Sequence, residues 1–526
     1  MAQLLRRFPF AVVVVSCAIA AGCSSSSERS GLVEPAASTP SPLSVDDDWP
    51  MYGRDARHSF TQRGSQIDAA NAAALTARWT FPTSDAVTAS PAVVDGVVYV
   101  GAWDGFFYAL DARSGALRWK FAVDCQSTVV PIPPRCLAPG QIAPDRQGTD
   151  GGLLVSSPTV RAGKVFFTAG KKVYALRASD GRLLFKHTVC GKPEAPHCEA
   201  DANDPTNLFS SPVLVDEKIL VGVSVDGRDG YRGGIVALDA SDGEERWRFE
   251  VDPILDGAGR PAVGPDGRAL GGNNRGCGNV WSTGALDRKR GLVFFGTADC
   301  QGTAVAPYHG SLLALHVESG RLAWSYSPNP DDSCDKDFGA SANVIDTGDD
   351  DHLRVGIGGK DGTYHVLESA SGALVWRTNV VFGGNAGGFI GSTAFDGKRV
   401  YGATGIGDYG VQCKPSDPRD TPVQDPSIHA FDAIGGGIAW EDGVNYSFGA
   451  TTVAHGVVFN GWIGFPPYGI PAAMRARDAA TGAIVAELAQ PGSVNSSATV
   501  TRRAIYFGTG NSYDGAGGGI HAYALP

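Results

Sequence analysis

Apolar and polar residues along this chain fall into short runs, and the runs recur. The clearest unit is Ala89-Ser-Pro-Ala-Val-Val-Asp-Gly-Val-Val-Tyr-Val-Gly, followed by Phe106-Phe-Tyr-Ala-Leu-Asp-Ala-Arg-Ser-Gly-Ala-Leu-Arg-Trp119. This pattern predicts four short strands. The first begins at Ser90-Pro91, and Asp95-Gly96 turns the chain because that pair readily adopts positive φ. A second strand covers Val97–Val100 and a third Phe106–Asp111, and Ser114-Gly115 turns into a fourth that ends at Trp119.

The unit returns with loops of different length. Ser157-Pro158 leads to Tyr174-Ala-Leu and Asp180-Gly181; Ser211-Pro212 leads to Ala237-Leu-Asp, Asp242-Gly243 and Trp247. Ser282-Thr283 leads to Ser319-Gly320 and Trp324, and Ser341 leads to Ser371-Gly372 and Trp376. Ser392-Thr393 leads to Ala430-Phe-Asp and Trp440, and Thr451 leads to Thr481-Gly482 and Val485. The last unit, from Ser496-Ser497 to His521-Ala-Tyr, stops one strand short. Leu75–Phe81 has the outer-strand pattern without three strands before it, so it is expected to complete the eighth unit. Eight units closed into a ring leave no exposed sheet edge, which makes the expected fold all-β: an eight-bladed β-propeller of four-stranded antiparallel blades over residues 47–526. A spacing of roughly 45–75 residues exceeds a minimal blade, and the excess goes to loops on the two faces. Trp119, Trp247, Trp324, Trp376 and Trp440 are assigned to packing between blades.

Composition narrows the partners. Of the 526 residues 19% are charged, and the net charge of −11 repels phosphate backbones, which argues against nucleic acid. Arg6 and Arg7 precede an apolar run from Phe8 to Ala20, the form of a signal peptide over residues 1–22. Ala20-Ala-Gly-Cys23 follows and resembles the bacterial lipoprotein processing box, apart from Ala20 where Leu is more usual; lipidation at Cys23 is expected. The Ser/Pro-rich residues 23–46 read as a disordered tether. Membrane contact is expected through the lipid anchor only, in the cell envelope. Ten cysteines agree with export to an oxidising compartment. Cys125 with Cys136 and Cys190 with Cys198 are close pairs in long insertions and are expected to be bridged; Cys277, Cys300, Cys334 and Cys413 are left unassigned. There is no Cys-x-x-Cys-His run for covalent haem.

The Ala-x-Asp-x-x-x-Gly-x-x-x-Trp unit at Ala109–Trp119 resembles the tryptophan-docking motif of the pyrroloquinoline quinone (PQQ) alcohol dehydrogenase propellers. Asp48-Trp-Pro-Met-Tyr-Gly-Arg-Asp55 is similar to the start of that family. Asn279-Val-Trp281 resembles the segment whose Trp stacks under the quinone, which implies that Trp281 and Asn279 bind the cofactor. Phe295-Gly-Thr-Ala-Asp299 stands where the family has a metal-binding Asn, and Asp is an acceptable calcium ligand. In Asp335-Lys-Asp337-Phe-Gly-Ala, Asp337 matches the catalytic base and a metal ligand, with Asp335 in reserve; this form looks most like polyvinyl-alcohol dehydrogenases. Gly359-Lys360-Asp-Gly-Thr-Tyr364 resembles the strand whose cation contacts the quinone oxygens.

Three elements of the family pattern differ. No two cysteines are adjacent, and Val87-Thr-Ala89 replaces a first-blade acidic residue. The metal-binding Glu before Gly-x-Arg-Gly is missing, with Asp229 or Asp226 as its candidate replacement. The resemblance implies a monomeric enzyme that oxidises an alcohol, polymeric or secondary, with PQQ and Ca2+, and passes electrons to an external acceptor such as a cytochrome. The competing expectation is a cofactor-free propeller lipoprotein that serves as an assembly scaffold.

Overall fold

The strands are built from β-branched and aromatic runs that end at Asp-Gly, Ser-Gly or Thr-Gly turns. In the first blade Val97–Gly101 is buried throughout and Phe107 to Leu110 likewise, whereas the outer strand Leu117–Ala122 alternates exposed and half-buried positions. The cause is stacking: inner strands are covered by a neighbouring blade on both faces and read as continuous apolar runs, and only the outer strand meets solvent. The computed structural model describes residues 47–125, 133–137, 153–193, 201, 203–225, 228, 230–258, 261–262, 277, 279–298, 300, 306–330, 335–381, 383–384, 387–405, 428–443, 447–464, 471–510 and 518–526.

These residues form eight antiparallel sheets. Blade one comprises Ala92–Val94, Val97–Gly101, Phe106–Asp111 and Leu117–Ala122, and blade five comprises Asn343–Ile345, Arg354–Gly358, Thr363–Glu368 and Leu374–Asn379. Blade eight takes Thr499–Val500, Ala504–Thr509 and Gly519–Ala524 from the C-terminal end and Thr76–Pro82 as its outer strand, in register Thr76 with Ala524 and Pro82 with Gly519. The expected closure is therefore present.

The tryptophans sit where the repeat places them. The indole N–H of Trp119 donates to the Ala178 carbonyl of the next blade (2.9 Å), Trp324 to Ser369 (3.0 Å), Trp376 to Ala433 (3.2 Å) and Trp440 to Ala479 (2.9 Å). Trp79, on the strand that closes blade eight, does the same to Ala112 (3.0 Å). Each ring lies on the turn glycine of its neighbour. Gly372 has φ +72° and a Cβ there would stand 2.6 Å from the Trp324 ring, so the Gly in the repeat answers both the turn and the indole. Blade two has no Trp, and Phe185 takes the place against Gly243. Gly372→Ala should cost about 2–4 kcal/mol through overpacking and the left-handed backbone, measured by equilibrium denaturation.

Two features hold the ring that the strand pattern does not show. In six of the eight blade junctions the Ser or Thr at the start of an inner strand links to the next blade: Ser497 N–H donates to Ser90 Oγ, Ser90 to Ser157, Ser157 to Ser211, Ser211 to Thr283, Thr283 to Ser341 and Ser341 to Ser392, all at 2.8–3.1 Å. At the other end of the blades the segment 49–66 runs around the inside of the ring. It accepts N–H groups from Val93, Val160, Leu286, Val344, Phe395 and Val453 in turn, and Gln66 donates to Arg502. Thr61–Gln62 adds a fifth, parallel strand to blade seven. Innermost strands would otherwise leave these backbone groups unpaired inside the channel.

Three buried histidines make the ring acid-sensitive. Burial holds His58 and His521 down at about 4 and His429 at about 3, below the ordinary 6.5. Glu441 lies 3.3 Å from His429 but is largely exposed, and burial outweighs it. The unfolded chain takes up these protons near pH 6.5 and the folded ring does not. Stability is therefore full above pH 6.5 and falls as pH drops towards 4, with a slope of up to about 4 kcal/mol per pH unit for three such groups. Urea midpoints at pH 7.5 and 5 should show it, and His521→Gln should flatten the slope.

Candidate active site

Loops that join second to third strands, and outer strands to the next blade, emerge at one end of the ring. Three such segments meet around Lys360. The turn 359–362 of blade five carries the lysine, the crossing from blade four to blade five carries Asp335 and Asp337, and the crossing from blade three to blade four carries Trp281. Lys360 is buried at 2% exposure, with its ammonium 2.7 Å from Asp335 Oδ1 and 3.2 Å from Asp337 Oδ1. The same nitrogen stands 4.4 Å from the centroid of the Trp281 ring, a cation–π contact. Trp281 is 37% exposed although Val280 and Ser282 beside it are buried. The indole thus stands partly open to solvent between two buried neighbours, with Lys360 against its face.

The electrostatics follow from burial and pairing. Burial by itself pulls the Lys360 ammonium down, but Asp337 and Asp335 overcome it and its pKa is raised, so Lys360 is a cation at neutral pH. Asp337 is wholly buried and Phe338 beside it is 2% exposed, packed in the apolar wedge between blades four and five. Lys360 N–H donates to the Asp337 carbonyl at 2.8 Å, which ties turn to crossing. Asp335 sits at φ +56°, in the left-handed region. Such a backbone persists only where its surroundings hold it, here by the bond to Lys360.

A second layer fixes these segments. Asn329 Nδ2 donates to the Lys336 carbonyl (3.2 Å) and to Asp361 Oδ2 (3.3 Å). Asp361 also accepts Thr363 N–H at 2.9 Å and faces His365 Nε2 at 3.6 Å, and His365 Nδ1 meets the Tyr326 hydroxyl at 3.2 Å. Burial alone would raise the Asp361 pKa; His365, Thr363 and Asn329 outweigh it and hold it down. Sequence reasoning passed over Asn329 and His365. Ser327-Pro-Asn329-Pro reads as an ordinary turn, and His365 reads as one more core position in a strand.

The cysteines were partly legible. Cys125 is bridged to Cys136 as expected. Cys190 is in a disulfide, and its expected partner Cys198 lies outside the described residues. Cys277 pairs with Cys300, a pairing the sequence left open; the bridge joins the residues just before Asn279 to those just after Ala298, and so staples the Trp281 segment to the end of its own blade. Ala298 N–H donates to the Asn279 carbonyl (2.8 Å), and Asn279 Oδ1 accepts Val225 N–H (3.0 Å). Arg232, in the Gly-x-Arg-Gly element, is paired with buried Glu250 at 3.3 Å.

The residues present suit a planar, oxygen-edged group: an exposed indole face to stack on, a charged ammonium for an oxygen, and a buried carboxylate alongside. Calcium is a different matter. Asp299, Asp229 and Asp226 lie outside the described residues, and among the described residues no three His, Cys, Asp or Glu side chains group so as to hold a metal. Cys23, where lipidation is expected, and Cys334 and Cys413 also lie outside them.

Comparison with known proteins agrees with the repeat. A PQQ family model, for the β-propeller domain of glucose/ethanol/alcohol dehydrogenases, matches residues 49–381. A polyvinylalcohol dehydrogenase of Pseudomonas sp is 24% identical over 405 residues, 70% of this chain and 56% of that protein. Quinohemoprotein alcohol dehydrogenase ADH IIB of Pseudomonas putida is 26% identical over 351 residues, 62% of this chain and 46% of that one. The chain thus spans about half the length of the curated relatives it matches. The crystal structure of quinohemoprotein alcohol dehydrogenase from Comamonas testosteroni superposes with a TM-score of 0.70 at 18% identity, over 91% of this chain and 80% of that one, a likeness of fold. With well over half of its length matched, this chain belongs to the PQQ family of glucose/ethanol/alcohol dehydrogenase β-propellers.

Proposed function

We propose that the protein is a quinoprotein dehydrogenase that oxidises an alcohol. The observation that carries this reading is the convergence of Trp281, Lys360 and Asp337 from three separate segments onto one spot. Trp281 and Lys360 are the residues that would hold PQQ, and the cofactor would supply a two-electron acceptor. Lys360 would neutralise negative charge that grows on an oxygen beside it, in a site that excludes water. Asp337 would take the hydroxyl proton of the alcohol. It lies against Lys360, which favours its ionised, proton-accepting form.

A polymeric or secondary alcohol is suggested by the polyvinylalcohol dehydrogenases among the relatives. Calcium and an external electron acceptor such as a cytochrome come from the family resemblance alone, and no step is derived from the ion. Export with a lipid at Cys23 is supported by the form of residues 1–23 and by the two bridges, which persist in oxidising compartments. A family match to dehydrogenase propellers does not favour the scaffold alternative.

The test is a titration of the purified protein with PQQ, with and without Ca2+, followed by quenching of tryptophan emission, and then dye reduction with a panel of alcohols. Saturable quenching at micromolar PQQ and alcohol-dependent dye reduction are expected. No binding in that range would overturn the reading.

A further inference from the structure

The face opposite Lys360 carries a feature that alcohol oxidation does not use. Turns between first and second strands emerge there, and with the segment 47–66 they line a half-open pocket of about 840 Å3. Four arginines line it: Arg54, Arg57 and Arg63 from the N-terminal segment, and Arg502 from the turn of blade eight. In a chain with a net charge of −11 this is a local excess of cation.

We propose that this pocket binds a phosphate group. Its carboxylates are largely engaged already. Asp346 accepts Arg57 Nη1 (2.5 Å) and Gly348 N–H, and Asp55 accepts the N–H groups of Arg57 and Ser59 and the Ser59 hydroxyl. No side-chain hydrogen bond or ion pair is seen for Arg54, Arg63 and Arg502 among the described residues; Arg54 lies within electrostatic reach of Asp48 and Arg63 of Asp346, and Asp47 is the remaining lining carboxylate. Gly397 keeps the wall open beside Arg63, since a Cβ there would stand 3.2 Å from Nη2. Three guanidinium forks from two distant parts of the chain suit a tetrahedral anion with several oxygens better than a carboxylate, which has two. A lipid head group and a soluble phosphate ester present the same chemistry.

Isothermal titration of the full chain with inorganic phosphate and with glycerol phosphate tests the site. Saturable binding is expected, weakened at least tenfold in Arg54→Ala/Arg63→Ala/Arg502→Ala and unchanged in Arg118→Ala, with dye reduction unaffected in both. Should the triple variant lose its circular dichroism spectrum, Arg502→Glu alone, on an exposed turn, serves instead. Absence of binding, or equal binding by wild type and variant, overturns the proposal. Sedimentation with phosphatidylcholine vesicles, with and without phosphatidylglycerol, separates the sources. A phosphatidylglycerol dependence lost in the variant supports the site and assigns a head group; ester binding without that dependence supports it and assigns a soluble ligand.

Discussion

Lys360→Met will lower stability and activity together. The lysine is buried between two carboxylates, and methionine fills its volume without its charge. Asp337 would then be left buried with no cation beside it, and removing one partner of a buried pair costs about 3–5 kcal/mol. The bond that holds Asp335 in its left-handed backbone goes with it, so the crossing from blade four to blade five should loosen. Activity should fall by about a hundredfold or more, the loss expected when one preorganised charge aimed at a developing oxyanion is removed. Urea unfolding and dye reduction measure the two effects. A variant as stable as the wild type would show that the ion pair is not the buried, obligatory contact described above. Lys360→Arg is not a conservative alternative, because a planar fork does not fit the space of a compact ammonium.

Asp337→Asn separates chemistry from binding. The amide keeps the size of the carboxylate and its contact with Lys360, so PQQ affinity should change little. The amide cannot accept a proton, and kcat should fall by about 10²–10⁴, the usual worth of a general base. Asp335→Asn should cost less, because Asp335 is about one-third exposed and leaves Asp337 to balance Lys360. If both variants lose turnover equally, the base is not assigned to Asp337. If Asp337→Asn binds no PQQ, its carboxylate serves the cofactor rather than the proton.

Much of the architecture was legible before any coordinates. Asp-Gly and Ser-Gly turns punctuate runs of Val, Phe and Tyr, and that pattern is enough to count blades because turn chemistry and strand burial are local. Even the displaced strand could be read, since Thr76–Pro82 repeats an outer-strand pattern that has no hairpin of its own. The docking tryptophans were legible as a group for the same reason. The hydroxyl links from Ser497 through Ser90 to Ser392 were not: a hydroxyl does not state its partner, and here it accepts a backbone N–H from the preceding blade.

For the candidate site the division is similar. Trp281, Asp337 and Lys360 stood out through motif likeness, each in its own segment. Their meeting, the sharing of one ammonium by two carboxylates, the Asn329–Asp361–His365 layer and the Cys277–Cys300 bridge all appear only in three dimensions. The chain by itself determined the repeating unit, its number and the residue types at each turn, because these depend on neighbours a few positions apart. Tertiary structure decided what stands beside Lys360 and what encircles the channel. Those contacts join residues tens to hundreds of positions apart, and only closure of the ring brings their segments to the same end of the blades.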